Sequence, residues 1–252
     1  MDLGLKGKKV IVTGGTRGIG AAIVRTFAEE GATVYFCARD SGAVKKFEAA
    51  LLSQGLDVIG TAVDVRDSAS YFGWLDTCAH AGGGVDIFIP NVSGGILSGA
   101  EGFRQNFSVD VMASVSGVDH VLKYLAQSDM GAVTVIASIA ATEKMGSPSA
   151  YGAMKAALVN YAGQLSEVAM AHGVRVNCVS PGPIHVEDGF WGAVKNEQPD
   201  QYAAVAARHG QNRLGTPEEV AKAVVFLSSP QASWVSGSNL IVDGGFSKSI
   251  QF

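Results

Sequence analysis

Tyr151 and Lys155 stand four residues apart in the segment Tyr151-Gly152-Ala153-Met154-Lys155. On a helix that spacing puts phenol and ammonium on one face. A free tyrosine titrates near pH 10 and exchanges protons poorly at neutral pH. A neighbouring ammonium stabilises a phenolate and makes the phenol a usable acid and base. Ser138 lies thirteen residues before Tyr151 and closes an apolar run over 132–138. Its hydroxyl can bond the same substrate oxygen that Tyr151 touches. The three groups together suit one chemistry, which is to polarise a carbonyl for hydride attack and to supply its proton.

A second constellation lies near the start of the chain. The apolar run Lys8–Thr13 leads into Gly14-Gly15-Thr16-Arg17-Gly18-Ile19-Gly20, and a helical pattern follows. Gly14 and Gly15 allow a tight turn, and Gly18 removes a Cβ where a pyrophosphate must approach. Gly20 lets the helix sit close to the strand, and the helix N-terminus offers free N–H groups to phosphate. Strand before and helix after make this a dinucleotide-binding turn. The second strand ends Phe36-Cys37-Ala38-Arg39, so Ala38 stands where an acid would bind the ribose hydroxyls. Arg17 and Arg39 with no carboxylate suit a 2′-phosphate, which predicts NADP(H) first and NAD(H) second. Asp64 and Val65, at the end of the third strand, are expected at the adenine.

These residues need a frame to hold them. Runs rich in β-branched residues recur at 8–13, 33–37, 57–65, 85–90, 132–138, 174–180 and 239–243. Helical spacing fills the intervals: Ile19, Ile23 and Phe27 recur at every fourth residue over 18–30, and 104–127 and 151–171 read as long helices. Strands that are continuous apolar runs, alternating with helices, predict a doubly wound, seven-stranded parallel sheet of the Rossmann type, with helices on both faces. About six helices are expected. No linker or repeat divides the chain, so residues 1–252 read as one domain, with 185–215 as a loop or lid over the substrate.

Composition narrows the classes. The 252 residues include 19 Lys and Arg against 23 Asp and Glu, and 47% are apolar. That is too apolar for a disordered chain and lacks the basic excess of a nucleic-acid binder. No run approaches the roughly 18 apolar residues of a membrane span. The first residues carry no apolar core of leader length, which predicts a cytoplasmic protein. Cys37, Cys78 and Cys178 are widely spaced, so reduced core thiols and no metal site are expected. Thirty-two glycines exceed the usual share of about 7%, in keeping with close backbone approaches.

With these residues in view, the chain resembles the short-chain dehydrogenase/reductase (SDR) family over essentially its whole length. The matching elements are residues 13–20, Asp64-Val65, Asn91 after the fourth strand, Ser138, Tyr151, Lys155, the Pro181-Gly182 turn and the tail over 235–245. The resemblance implies hydride transfer between a nicotinamide and an alcohol or carbonyl, by a homotetramer. It makes Tyr151 the proton donor or acceptor, and Lys155 the group that holds the nicotinamide ribose and favours the phenolate. Ser138 orients the carbonyl. Gly14, Thr16, Arg17, Gly18, Ile19, Gly20, Arg39, Asp64, Val65, Asn91, Pro181, Gly182 and Ile184 surround the cofactor, with Ile184 meeting the carboxamide through its backbone.

Three positions depart from the family pattern. Asp110, 28 residues before Ser138, replaces the usual Asn that supports a water chain to the lysine. An ionised Asp cannot donate, so the relay is expected to be retuned, with Asp110 retained among the catalytic group. The usual Asn-Asn-Ala-Gly reads Pro90-Asn91-Val92-Ser93-Gly94, and Val186 takes the place of a Thr near the cofactor.

Ser93, Gly94, Met145, His185, Phe190 and Trp191 are the expected substrate pocket, and its apolar walls suit an aromatic, cyclic or medium-sized ketone. A 3-oxoacyl thioester reductase is the alternative, although the turn Gln127-Ser128-Asp129-Met130-Gly131 lacks the basic residues that attract an acidic carrier. A non-catalytic nicotinamide-binding regulator is the alternative from another class, with Asp110 as its best support. An enoyl reductase of this family usually spaces its Tyr and Lys further apart. Small residues (Ala153, Ala156, Ala157, Ala162, Gly163) allow close helix packing between copies of the chain.

Overall fold

The seven apolar runs pair side by side as strands. They are β1 (Lys9–Thr13), β2 (Thr33–Ala38), β3 (Val58–Ala62), β4 (Ile87–Ile89), β5 (Ala132–Ile136), β6 (Arg175–Pro181) and β7 (Asn239–Val242). A computed structural model describes residues 2–144, 146 and 148–248. All neighbours are parallel, in the order β3-β2-β1-β4-β5-β6-β7. The order reverses between β1 and β4, and such a switch point opens a crevice beyond the C-terminal strand ends. This is the single-domain Rossmann-type fold that the sequence pattern predicts.

Alternate strand residues face opposite layers, and both layers are apolar. Val10, Val12, Val34, Phe36, Ile87 and Ile89 pack with Ile23 and Phe27 of α1 (Gly18–Glu29), Leu51 of α2 (Ser41–Leu52) and Val220 and Val224 of α9 (Pro217–Ser228). Ile11, Phe88, Val133, Val135 and Val176 pack with Trp74 and Leu75 of α3 (Ser68–Gly82), Val118 and Val121 of α5 (Ala113–Leu125), and Leu158 and Ala162 of α6 (Ala150–Met170). Burial on two faces explains why the strands read as continuous apolar runs. The three cysteines are buried and unpaired. Burial pushes the Cys37 and Cys178 thiols up to about 12, so they stay protonated and unreactive.

Arg175, at the start of β6, fixes the far end of the sheet. Its Nη1 donates to the carbonyls of Leu227 (2.8 Å), Ala232 (3.0 Å) and Val235 (3.3 Å). Its Nη2 donates to those of Ser228 (3.1 Å) and Ser229 (3.0 Å). The guanidinium thus caps the C-terminal carbonyls of α9, where the helix dipole is negative.

Two expectations are corrected. The stretch 104–127 is not one helix: α4 (Gly99–Asn106) runs into a π-helical turn, Phe107–Met112, before α5 begins. The excursion 185–215 contains two short helices, α7 (Phe190–Glu197) and α8 (Pro199–Ala206), so helices outnumber the expected six. A π turn closes i→i+5 bonds inside an otherwise α-helical stretch, and 104–127 therefore reads as one helix by its flanks.

Candidate active site

The crevice at the switch point begins with the turn between β1 and α1. Gly14 has φ +71° and Gly18 has φ +52°, in the left-handed region that glycine tolerates. A Cβ on Gly20 would overlap the Gly14 carbonyl oxygen, so the third glycine permits the turn to close on itself. Asn91 holds this turn from the neighbouring strand. Its backbone N–H donates to Thr13 Oγ1 (3.0 Å), and its Nδ2 donates to the carbonyls of Thr13 (3.1 Å) and Gly14 (3.0 Å). Both amide hydrogens are thereby engaged, and Asn91 shapes the cradle from behind. Thr16 and Ile19 are half-buried in the same turn. Val186 lies against it, 3.4 Å from where a Gly18 Cβ would stand.

Arg17 precedes α1 as its N-cap residue and is exposed, as is Arg39 beyond the end of β2. The nearest acid on that strand end, Asp40, caps α2 by accepting from Ala43 N–H at 2.9 Å. Asp64 is not free either. Arg66 Nε lies 3.0 Å from Oδ1 and Nη2 lies 2.5 Å from Oδ2. The Arg66 guanidinium is the main cause that holds the Asp64 carboxyl down at about 2, and Arg39 adds to it. A third arginine, missed in the sequence reading, thus shares the carboxylate that is expected at the adenine. The only signal was its place two residues beyond Asp64. Val65 is buried beside it.

Across the crevice, Ser138 follows β5 and is 9% exposed. Its Oγ accepts from Ala140 N–H at 3.1 Å, in a short 3-10 turn over Ile139–Ala141. Accepting that bond leaves the hydroxyl hydrogen available to a ligand. Tyr151 is the second residue of α6 and is half-buried. Lys155, one turn later, is 2% exposed. Its Nζ lies 5.6 Å from the Tyr151 ring centre and donates to Ile136 O at 2.9 Å. Ile136 ends the strand that presents Ser138, so one ammonium ties the tyrosine helix to the serine strand. Asp110 completes the group from the π turn, with Oδ1 3.5 Å from Lys155 Nζ.

A family model described as enoyl-(acyl carrier protein) reductase matches residues 14–247. The isoepoxydon dehydrogenase of Penicillium expansum is 37% identical over 100% of this chain and 99% of that protein. The cis-4-hydroxycyclohexanecarboxylate dehydrogenase of Sinomonas cyclohexanicum is 32% identical over 94% of this chain and 95% of that protein. The crystal structure of L-sorbose reductase from Gluconobacter frateurii, complexed with NADPH and L-sorbose, superposes with a TM-score of 0.91. It is 30% identical and covers 99% of this chain and 100% of its own. This chain is a short-chain dehydrogenase/reductase. SDR oxidoreductases bind a nicotinamide cofactor, and the glycine turn here has the open backbone that such a cofactor requires.

In this SDR the residues expected beside the substrate are tied to their own neighbours. Gly94 does not present its N–H to the crevice, because that N–H donates inward to Asp110 Oδ2 at 2.8 Å. Ser93 Oγ accepts from Gly95 N–H at 3.1 Å and closes the same loop. His185 is not a free polar contact: Nδ1 meets Tyr202 Oη at 3.2 Å and Nε2 meets Glu187 Oε2 at 3.1 Å. Its backbone N–H donates to Gly215 O at 2.8 Å, beside a bridge between Ile184 and Gly215. His185 thereby latches α8 onto the strand end that carries Pro181, Gly182 and Ile184. Trp191 stands between Phe190 (5.2 Å between ring centres) and Tyr202 (6.4 Å). Tyr202 was missed, since nothing in sequence links it to His185. Met145 lies outside the described residues.

Proposed function

We propose that this SDR transfers a hydride between NADP(H) and a ketone or secondary alcohol, preferably on a ring. The observation that carries the reading is the placement of Lys155, which touches Ile136 O at 2.9 Å while its Nζ lies 5.6 Å from the Tyr151 ring centre. That arrangement serves carbonyl chemistry. In reduction, Tyr151 gives its hydroxyl proton to the carbonyl oxygen, and Ser138 Oγ–H donates the second bond to that oxygen. Lys155 stabilises the phenolate left behind. A nicotinamide dinucleotide held at the Gly14, Gly18 and Gly20 turn would supply the hydride in reduction and accept it in oxidation. The four-residue spacing of Tyr151 and Lys155 supports a carbonyl rather than an enoyl substrate.

Exposed Arg17 and Arg39, with Asp40 engaged as a helix cap, support a 2′-phosphate on the cofactor. Arg66 offsets a nearby carboxylate, Asp64, at the same end. Phe190, Trp191 and Tyr202 supply flat apolar surface for a cyclic substrate. The relative named for cis-4-hydroxycyclohexanecarboxylate, a ring-borne alcohol, supports the same class. Residues 185–215 act as the lid of a single catalytic domain.

A cytoplasmic homotetramer fits the surface. Phe107 (49% exposed) and Met112 (42%) stand out from the π turn, and Trp234 (99%) stands beside the edge strand β7. Burial of these side chains between copies would remove them from water. No helix among the described residues is long and apolar enough to cross a membrane.

The test is nicotinamide absorbance with the purified protein, NADPH or NADH, and a panel of cyclic, aryl and β-keto carbonyls. Oxidation of NADPH by a cyclic ketone is the expected result. Turnover only with enoyl thioesters, or only with NADH, would overturn the corresponding part of the reading.

A further inference from the structure

Asn106 and Asp110 lie side by side where α4 enters the π turn, and both are 0% exposed. Asn106 Nδ2 donates to Asp110 Oδ2 (2.9 Å) and to Gly95 O (2.9 Å). Gly94 N–H donates to the same Oδ2 at 2.8 Å. Lys155 Nζ faces the other oxygen at 3.5 Å, and Oδ1 has no hydrogen-bond partner. Every group facing this carboxylate is therefore a donor. An asparagine at 110 would have to point its NH₂ group at the ammonium or at the other two donors. The usual family residue does not fit this pocket.

We infer that Asn106 is a positioning residue that makes position 110 specific for a carboxylate and, through Asp110, sets Lys155. The inference rests on the reading of Tyr151 and Lys155 as the proton-transfer centre and adds a coupling that this reading does not contain. Asn106 clamps Oδ2 against the Gly94-Gly95 loop, and so leaves Oδ1 alone to face the ammonium. Without the clamp the carboxylate turns toward Lys155 and draws Nζ off Ile136 O. Tyr151 then loses the ammonium that stabilises its phenolate. Lys155 on α6 is the titratable group facing Asp110, and Ser114 Oγ donates to its backbone carbonyl at 2.7 Å.

The experiment compares the full chain with Asn106→Leu, Asp110→Asn, the double variant and Asn106→Asp. It reads steady-state kinetics across pH and amide exchange over residues 92–96. Asn106→Leu and Asp110→Asn are each expected to lower kcat roughly tenfold with KM little changed, as for loss of a hydrogen bond to a charged group. The double variant should be no worse than Asp110→Asn, because one residue acts through the other. Asn106→Asp should approach the native rate as pH falls, since a carboxyl at 106 donates only when protonated. Amide exchange over 92–96 should speed up in both single variants. Full kcat in either single variant, or additive losses in the double, would overturn the inference. Should the native chain reduce no carbonyl, the reductase reading fails by itself; unchanged exchange over 92–96 then overturns the coupling, and faster exchange upholds it. Should Asn106→Leu not fold, a constant ratio of Asn106→Asp to native activity across pH overturns it.

Discussion

Asp110 and Lys155 form a buried ion pair, Oδ1 to Nζ 3.5 Å, with side chains 0% and 3% exposed. Such a pair gains little over an apolar pair, yet removing one partner strands the other charge. Asp110→Leu and Lys155→Met should each destabilise by about 3–5 kcal/mol. The double variant should unfold closer to the native chain than either single variant does. Urea denaturation midpoints decide this, and a double variant less stable than both singles would show that the charges are not coupled.

Arg175 poses the same problem with a different solution. Its guanidinium is 7% exposed and meets five carbonyls and no carboxylate. Arg175→Met should cost roughly 2–4 kcal/mol, because it orphans the buried carbonyls at the end of α9. Arg175→Lys should rescue little, since one ammonium cannot span both sets. Equal denaturation midpoints for Lys and Arg at this position would contradict that view.

Two surface carboxylates predict the acid response. Tyr124 and then His120 bond Asp76 and hold its carboxyl down at about 2. Arg213 and the Thr216 N–H do the same for Glu219, which also closes the capping box of α9. Both folded values lie below the unfolded values of about 3.9 and 4.3. Their stabilisation is therefore complete above about pH 4 and disappears as pH falls through about 2. Melting temperature should drop over that window. Glu219→Gln should melt lower than the native chain at pH near 6 and show a shallower acid slope, modest in size because the pair is half-exposed. Parallel curves would contradict the assignment.

Cofactor choice should move with Arg39. Arg39→Asp is expected to weaken NADPH binding at least tenfold and to improve NADH binding, by repelling a phosphate and accepting from ribose hydroxyls. Fluorescence titration with each dinucleotide measures this without turnover. An unchanged NADPH to NADH ratio would place the 2′-phosphate elsewhere.

What was legible in the chain followed from short-range geometry. The sheet could be read because its strands are buried on both faces and so appear as apolar runs. Tyr151 and Lys155 could be paired because four residues make one helical turn, and Ser138 because it ends a strand. Asp110 was visible only as a departure from a family pattern. Of the donors around it, Asn106 lies one helical turn before it, while no spacing rule connects Gly94 and Lys155 to it. The same holds for Tyr202 on His185 and for Arg175 on the end of α9. Arg66 lies two residues from Asp64, yet its contact depends on a rotamer that sequence does not specify.

The central claim is that Tyr151 transfers the proton. It is tested most directly by comparing Tyr151→Phe with the native chain in NADPH-dependent reduction of a cyclic ketone, with NADPH binding followed in parallel. The account predicts that the variant binds NADPH as the native chain does but loses turnover by at least about a hundredfold, as for removal of a general acid. Turnover within a few-fold of native would contradict the account and assign the proton to another group.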